Sequence, residues 1–423
     1  MTGRRLGAVA FAGCLVLTVG GCPVEDSPPP DPSASASSGT PSSGAGPPPT
    51  DASTDLPAYG GPPPDAPPSA GPLTRVRAAV DLTPATPGVF ARVVSAVATP
   101  DGGAYVLLSP VDRDVPQSLV TVRGDAIAGA VPLPRVEDVW GLHLLADVPV
   151  VVTGRLAHEG YGQRVVDPAT GAVRTTVVVP AQDGEVSAVG RSALLAGSAT
   201  LYLLASVEDD DGTRDLLAAV DLASGRVVAD RDLGEDVAVA SRYPMGGQLG
   251  GLVARPGGGV TVVFDASPTE VAEDRIPTVL TYDADLEPVG EPVRVTDLAE
   301  GAETQAVASG ADGAVFLVAA VRDGAWVLGV PDGGGAGPLL AQLPDHIYSY
   351  ALAVEPAQVW AVLPAATGAL ALDLTSGETR PLAVGCGPRL DVRNLYPVVG
   401  GALMIGECDA PREDTQLLWF LAP

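Results

Sequence analysis

Val166-Asp167-Pro168-Ala169-Thr170-Gly171-Ala172-Val173 reads as a strand end, an Asp, a short turn closed by Gly, and a second strand. The pattern returns as Val220-Asp221-Leu222-Ala223-Ser224-Gly225-Arg226-Val227 and as Leu372-Asp373-Leu374-Thr375-Ser376-Gly377-Glu378. An Asp side chain folds back onto backbone N–H groups two residues on, and Gly supplies the positive φ that closes the loop without strain. A short Gly-containing loop between β-rich runs marks a hairpin. The three Asp residues are therefore read as turn formers rather than as a row of carboxylate ligands.

Working outward, similar third-to-fourth-strand turns fall near Gly124, Ala169, Ala223, Leu286, Gly334 and Thr375, spaced 45, 54, 63, 48 and 41 residues apart. That period is the length of a propeller blade of four antiparallel strands. Blade one is expected at Val89–Thr99, Ala104–Leu108, Ser118–Arg123 and Ala126–Leu133. Blade two follows at Val139–Leu145, Val150–Leu156, Gln163–Val166 and Ala172–Val179. Blade three runs from Glu185 to Leu233, blade four from Val237 to Leu298, blade five from Thr304 to Leu343 and blade six from Tyr348 to Val384. After Val384 the chain supplies only three strands, Val392–Val399, Ala402–Glu407 and Gln416–Leu421. The missing fourth is Arg75–Leu82, which closes the ring and removes an exposed edge. The expected fold is all-β, a seven-bladed β-propeller over residues 75–423. Six or eight blades stay open, because blade four is long enough to hide a miscount.

Hydrophobic residues make up 46% of the chain but aromatics only 4%, so the core must be Val, Leu and Ala packing. There is no Lys; all 24 basic residues are Arg. The formal net charge of −27 repels polyanions, which argues against nucleic acid and against adsorption to anionic lipid.

The first 21 residues read as an export signal. Arg4-Arg5 forms a charged start, and Leu6 to Val19 is apolar but too short to span a bilayer. Val19-Gly20-Gly21-Cys22 resembles the lipobox of bacterial lipoproteins, and the resemblance implies an acylated Cys22 as the new N-terminus, anchoring the chain to the membrane outside the cytoplasm. The export route, Sec or twin-arginine, stays open. Residues 22–74 form a tether. Sixteen Pro among residues 23–74, with no apolar periodicity, predict a disordered, partly polyproline-II segment with a reach on the order of 160 Å. In the folded part only Cys386 and Cys408 remain, and a lone pair in an exported protein is read as a disulfide, the alternative being two free thiols.

Propeller loops alternate between two faces. The first-to-second turns, such as Pro100-Asp101-Gly102-Gly103 and Pro256-Gly257-Gly258-Gly259, are tight. Second-to-third loops and inter-blade connections are expected to be longer and acidic: Asp112-Arg113-Asp114, Glu208-Asp209-Asp210-Asp211, Asp265 through Arg275 and Asp409 through Asp414, with Glu137-Asp138, Asp183-Gly184-Glu185, Glu235-Asp236, Glu300 and Glu303. Loops carry function more often than scaffolds do, so this acidic face is the expected binding face. Inner-strand entries hold Trp140, Arg242, Tyr243, His346, Tyr348, Tyr350 and Arg393, which either line the mouth of the central channel or pack between blades.

Asp209-Asp210-Asp211-Gly212 is the nearest approach to a calcium loop. With Gly212 as the sixth position, Val207 and Ala218 occupy the acidic positions an EF-hand requires. A solvated loop is the reading, with a Ca²⁺ site of Asp209, Asp211 and Asp215 as the lesser alternative and no other cofactor expected. His143, His158 and His346 are too far apart for a local metal motif, and no zinc-protease, serine-hydrolase or phosphate-loop motif occurs.

The Asp-x-x-Thr/Ser-Gly hairpins resemble those of bacterial PQQ-like and YVTN-type β-propeller repeat proteins. The resemblance implies the propeller but not a quinone enzyme, since Val177, Arg231 and Leu382 stand where a PQQ-type blade carries its Trp. The expected function is a non-enzymatic, monomeric binding or scaffold module whose partner is an envelope protein or polymer. The alternative is an extracytoplasmic hydrolase or lyase with carboxylates at the channel mouth; a structural part of an envelope assembly is the third.

Overall fold

The computed structural model describes residues 73–145, 149–156, 160–181, 184–194, 198–209, 212–240, 248–267, 275–295, 301–310, 313–321, 324–331, 339–343, 351–354, 360–365, 368–386, 390–398, 401–408 and 415–423. Cys22, the signal segment and nearly all of the tether lie outside them.

The described chain forms seven four-stranded antiparallel sheets. Blade one is β2 (Ala91–Ala98), β3 (Ala104–Pro110), β4 (Gln117–Arg123) and β5 (Ala126–Leu133). Blade two is β6 (Val139–Leu144), β7 (Val150–Arg155), β8 (Gly160–Val166) and β9 (Val173–Pro180). Blade three is β10 (Glu185–Leu194), β11 (Thr200–Asp209), β12 (Gly212–Asp221) and β13 (Arg226–Asp232). Blade four is β14 (Gln248–Ala254), β15 (Val260–Ala266), β16 (Ile276–Tyr282) and β17 (Val293–Arg294). Blade five is β18 (Glu303–Ser309), β19 (Val315–Val321), β20 (Gly324–Val330) and β21 (Leu339–Leu343). Blade six is β22 (Ala353–Val354), β23 (Trp360–Ala365), β24 (Gly368–Asp373) and β25 (Thr379–Ala383). Blade seven joins β26 (Leu390–Val398), β27 (Gly401–Cys408) and β28 (Thr415–Ala422) to β1 (Arg75–Asp81). The expected count and the closing strand both stand.

Burial explains why the strands differ in composition. Second strands are packed on both faces and read as continuous apolar runs, as in Val-Phe-Leu-Val-Ala-Ala-Val of β19. Outer strands meet a neighbour on one face only, and β13 alternates exposed and half-buried residues along Arg-Val-Val-Ala-Asp-Arg-Asp. The apolar residues gather into seven clusters, each shared by two adjacent blades. One cluster joins Leu403, Leu418 and Phe420 of blade seven to Val93, Val106 and Val120 of blade one. The ring is therefore closed by packing as well as by β1. First strands of successive blades touch around the axis, from β2 and β6 through to β26 and back to β2.

Polar clips add to these cores. The Gln416 side chain accepts from Val93 N–H at 2.8 Å, tying blade seven to blade one. Gln117 exchanges two 2.9 Å bonds with the Val136 backbone, tying blade one to the approach to blade two. Tyr202 accepts from Gly259 N–H at 2.7 Å, and buried Asp265 accepts from Thr304 N–H at 2.9 Å.

The repeated hairpins behave as their chemistry requires. Asp167 accepts from Ala169 N–H at 2.9 Å, Asp221 from Ser224 N–H at 2.6 Å, and Asp373 from Thr375 and Ser376 N–H at 2.8 and 2.9 Å. Gly171, Gly225 and Gly377 each take a positive φ, between 66° and 74°. Blade four makes a turn one residue shorter, closed from Asp283 N–H to Glu287 O at 3.0 Å, with Leu286 at φ 63° and its side chain buried between blades three and four.

Two expectations are corrected. Val237 does not open blade four; it lies in a short helix, α1 (Gly234–Ala240). Asp232 accepts from Gly234 N–H at 2.8 Å, and Glu235 and Asp236 favour a helix start. Val237 then seals the seam between blades three and four. Nor are all second-to-third loops long. The ladder of blade three runs out to Glu208↔Thr213 and Asp209↔Gly212, so only 210–211 lie between paired residues. Blades five and six are equally short there, with Val321↔Gly324 and Ala365↔Gly368 closing their ladders. Long second-to-third loops belong to blades one, four and seven, at 111–116, 267–275 and 409–414.

Cys386 and Cys408 form a disulfide with Cα atoms 5.5 Å apart. It joins the end of blade six to the second strand of blade seven.

Candidate functional site

A cavity of about 290 Å³ lies where the inner strands end. Its described lining is His143 of β6, Ser192–Leu194 of β10, Leu252–Ala254 of β14, Val307–Ser309 of β18, Leu352–Val354 around β22, and Tyr396-Pro397 of β26. These are strand exits, so the cavity sits at the end of the axis bearing the first-to-second turns. Among the described residues its wall holds no carboxylate, no Arg and no carbonyl-polarising cation. The polar groups are His143, Ser192, Ser309 and Tyr396.

Their hydrogen bonds decide what they can do. Ser192 Oγ lies 2.8 Å from His143 Nε2 and 2.7 Å from Thr153 Oγ1. Thr153 Oγ1 lies 3.2 Å from the carbonyl oxygen of Gly141. Three contacts need three hydrogens, and a carbonyl brings none. Thr153 must then donate to Gly141, Ser192 to Thr153, and an Nε2–H of His143 to Ser192. In this arrangement His143 is a donor toward Ser192 and is unable to take its proton, so the pair is not a nucleophile with its general base. Burial holds the imidazole down to about 4, which keeps it neutral above mildly acidic pH. Gly141 is required beneath the chain, because a Cβ there would collide with Ser192 Oγ. Tyr396 is likewise committed, accepting from Ala96 N–H at 3.0 Å and lying 3.2 Å from Ser95 Oγ.

Trp140 and Arg393 sit at the other end of the axis. Each falls at a register shift of its inner strand, between Val139 and Gly141 in β6 and between Val392 and Asn394 in β26. Bulges re-aim an edge side chain, and shifts recur in β2, β10, β14 and β18. Trp140 packs against Gly190 and lies 5.6 Å from the Tyr161 ring. Arg393 pairs with Asp391 at 2.8 Å and Glu407 at 3.4 Å. Neither lines the cavity. Arg242, Tyr243, His346, Tyr348, Tyr350 and His158 lie outside the described residues, as do Asp211 and the Asp209 side chain. Asp215 is described: it is paired with Ser206 at 2.5 Å, and burial pushes its carboxyl up. No group of three metal-ligating side chains occurs among the described residues.

On the loop-bearing face, several of the acidic residues picked from the sequence are engaged by arginines. Arg155 collects Asp138 at 2.7 Å, Glu137 at 3.2 Å and Glu185 at 3.9 Å. Asp236 receives Arg231 at 2.6 Å and the Tyr282 hydroxyl at 3.0 Å, which holds its carboxyl below the usual range. Loop 111–116 of blade one is different. Arg135 clamps it by donating to the carbonyls of Pro110, Asp112 and Val115. The clamp presents Val111 at 58% exposure beside Phe90 at 45%, joined by Val111 N–H to Phe90 O at 3.2 Å. Arg92 stacks 5.9 Å from the Phe90 ring centre, and Asp112 and Asp114 are exposed at the rim. Sequence reasoning named Asp112 and Asp114 but missed Phe90; an aromatic in a chain with only five Phe was the available signal.

No family model matches the chain, and no curated protein matches it. Solved structures do resemble it. An oligogalacturonate lyase in complex with manganese is 15% identical with a TM-score of 0.52, over 75% of this chain and 86% of that one. The β-propeller domain of Myceliophteria thermophila Cps50 (Swd1) is 12% identical with a TM-score of 0.53, over 79% of this chain and 97% of that one. At these identities the likeness is one of fold, and the fold is a β-propeller.

Proposed function

We propose that this protein is a lipid-anchored extracytoplasmic binding module. Acylated Cys22 holds it at the membrane, the Pro-rich tether extends it outward, and the loop-bearing face of the propeller takes an envelope protein or polymer. One observation carries the reading. The Arg135-clamped loop keeps Phe90 and Val111 exposed on a rigid support with a charged rim. An apolar centre inside a polar rim is the usual anatomy of a recognition patch. A hydrolase or lyase reading needs converging carboxylates; the described wall of the strand-exit cavity supplies none, so that reading belongs to the strand-entry end, where Asp391 and Glu407 meet on Arg393.

The test is crosslinking and affinity capture from intact cells. Phe90→Ser with Val111→Ser, and separately Asp112→Arg with Asp114→Arg, should each reduce capture of a reproducible partner about tenfold or more. Equal capture by both variants overturns the assignment of the face. Cys22→Ser should move the protein from the membrane fraction to the soluble one; retention at the membrane overturns the anchor.

A further inference from the structure

We propose that the cavity at the strand-exit end of the axis binds a small uncharged molecule bearing a hydroxyl group, which donates to His143 Nδ1 while its apolar body rests on Leu252, Val307 and Leu352. This goes beyond the loop-face reading and does not depend on it, since the two sites lie on opposite ends of the axis.

The argument starts from the hydrogen count. The chain His143 Nε2–H to Ser192 to Thr153 to Gly141 O uses every hydrogen it has. It fixes the tautomer of the ring. Nδ1 is then a bare acceptor, and it makes no hydrogen bond among the described residues. Since His143 lines the cavity and its Nε2 is taken by Ser192, Nδ1 is the ring nitrogen left to a ligand there. Ser192 already spends its hydrogen on Thr153, and the Tyr396 hydroxyl is already engaged by Ala96 N–H and Ser95 Oγ. The bare acceptor on His143 therefore asks its ligand for a donor, and Ser309 supplies the one further hydroxyl of the described wall.

Charge and shape supply the rest. A cationic ligand would meet no carboxylate in the described wall, and an anionic one would meet no Arg there. The chain as a whole carries −27, which further disfavours an anion. Burying either charge unpaired is costly, so the preferred ligand is neutral. Leu252, Val253, Ala254, Val307, Leu352 and Val354 make the wall predominantly apolar. A mostly apolar pocket with a few placed polar groups, at about 290 Å³, is the size and lining of a site for one small molecule.

The experiment uses the intact propeller with ¹⁵N-labelled histidine, and p-cresol with its methyl ether as matched probes. Nitrogen shifts of His143, identified by comparison with His143→Phe, should report the neutral Nε2–H tautomer before any probe is added. The Nδ1–H tautomer would overturn the proposal without recourse to a ligand. On titration, p-cresol should move Nδ1 saturably, and its methyl ether, which lacks the donor, should bind about tenfold more weakly. Equal affinity for the two probes, or no saturable shift with p-cresol, overturns it. Leu352→Trp, which fills the cavity and leaves His143 in place, should abolish the shift with the tautomer unchanged. A shift that persists in this variant overturns the placement of the site.

Discussion

Asp373 accepts two backbone N–H groups, and Ala at that position leaves both without a partner inside the turn. Asp373→Ala should lower stability by about 1 kcal/mol, read as a lower urea midpoint at unchanged slope. Asp265 works in the opposite electrostatic sense. It is fully buried, and burial pushes its carboxyl up to about 6 despite the bonds from Thr304. A folded-state value above the unfolded value of 3.8 means that the native state binds more protons between them. Its contribution to stability is therefore full below about pH 4 and falls as pH rises toward 6. Asp265→Asn removes that dependence. The difference in stability between the Asp265→Asn variant and the parent protein should shift in favour of the variant by on the order of 2 kcal/mol between pH 4 and pH 7. A constant difference across that range would show that Asp265 does not titrate there. Local turn chemistry of the Asp373 kind was legible in the sequence, because donor and acceptor lie within three residues. The His143–Ser192–Thr153 chain was not, because its members are 49 and 39 residues apart and meet only through blade packing.

At the scale of elements, the closing strand is the most exposed dependency. β1 pairs with β28 from Arg75↔Ala422 to Asp81↔Leu417, and buried Leu73, Val80 and Leu82 pack beneath it. A chain beginning at Thr83 loses these side chains and uncovers the edge of β28, whose residues are all buried in the intact protein. It should unfold at lower denaturant, or aggregate, and a peptide of residues 73–82 added in trans should restore the parent midpoint. The strand was recognisable because blade seven came up one strand short. α1 was not recognisable, because Val237 continues a run that alternates like a strand and only the Asp232 turn and the seam behind it make it helical. The short loop at 210–211 escaped for a related reason: an acidic run looks like solvent-exposed loop, and only the Glu208↔Thr213 and Asp209↔Gly212 pairs show the ladder continuing up to it.

For the whole molecule, seven cores between seven blades mean that each blade is stabilised by two neighbours. The disulfide strengthens one seam, between blades six and seven, next to the blade that contains the closing strand. Replacing Cys386 and Cys408 by Ser should cost roughly 3 kcal/mol by the loop-closure argument, seen as a lower melting temperature that reductant no longer changes. The blade period was readable from turns spaced by blade length. The cavity was not, since its wall collects one strand exit from each of six blades and no two contributions are neighbours in sequence.

The ladder between β1 and β28 also has a mechanical meaning. Thr74 N–H donates to Ala422 O at 2.9 Å, so the chain enters the propeller beside the last residue of β28. Tension arriving along the N-terminal segment is borne first by that ladder, before any other blade is loaded. Blade seven is the part of the ring placed to yield first under load, and the cross-link at its far seam confines the opening to that blade.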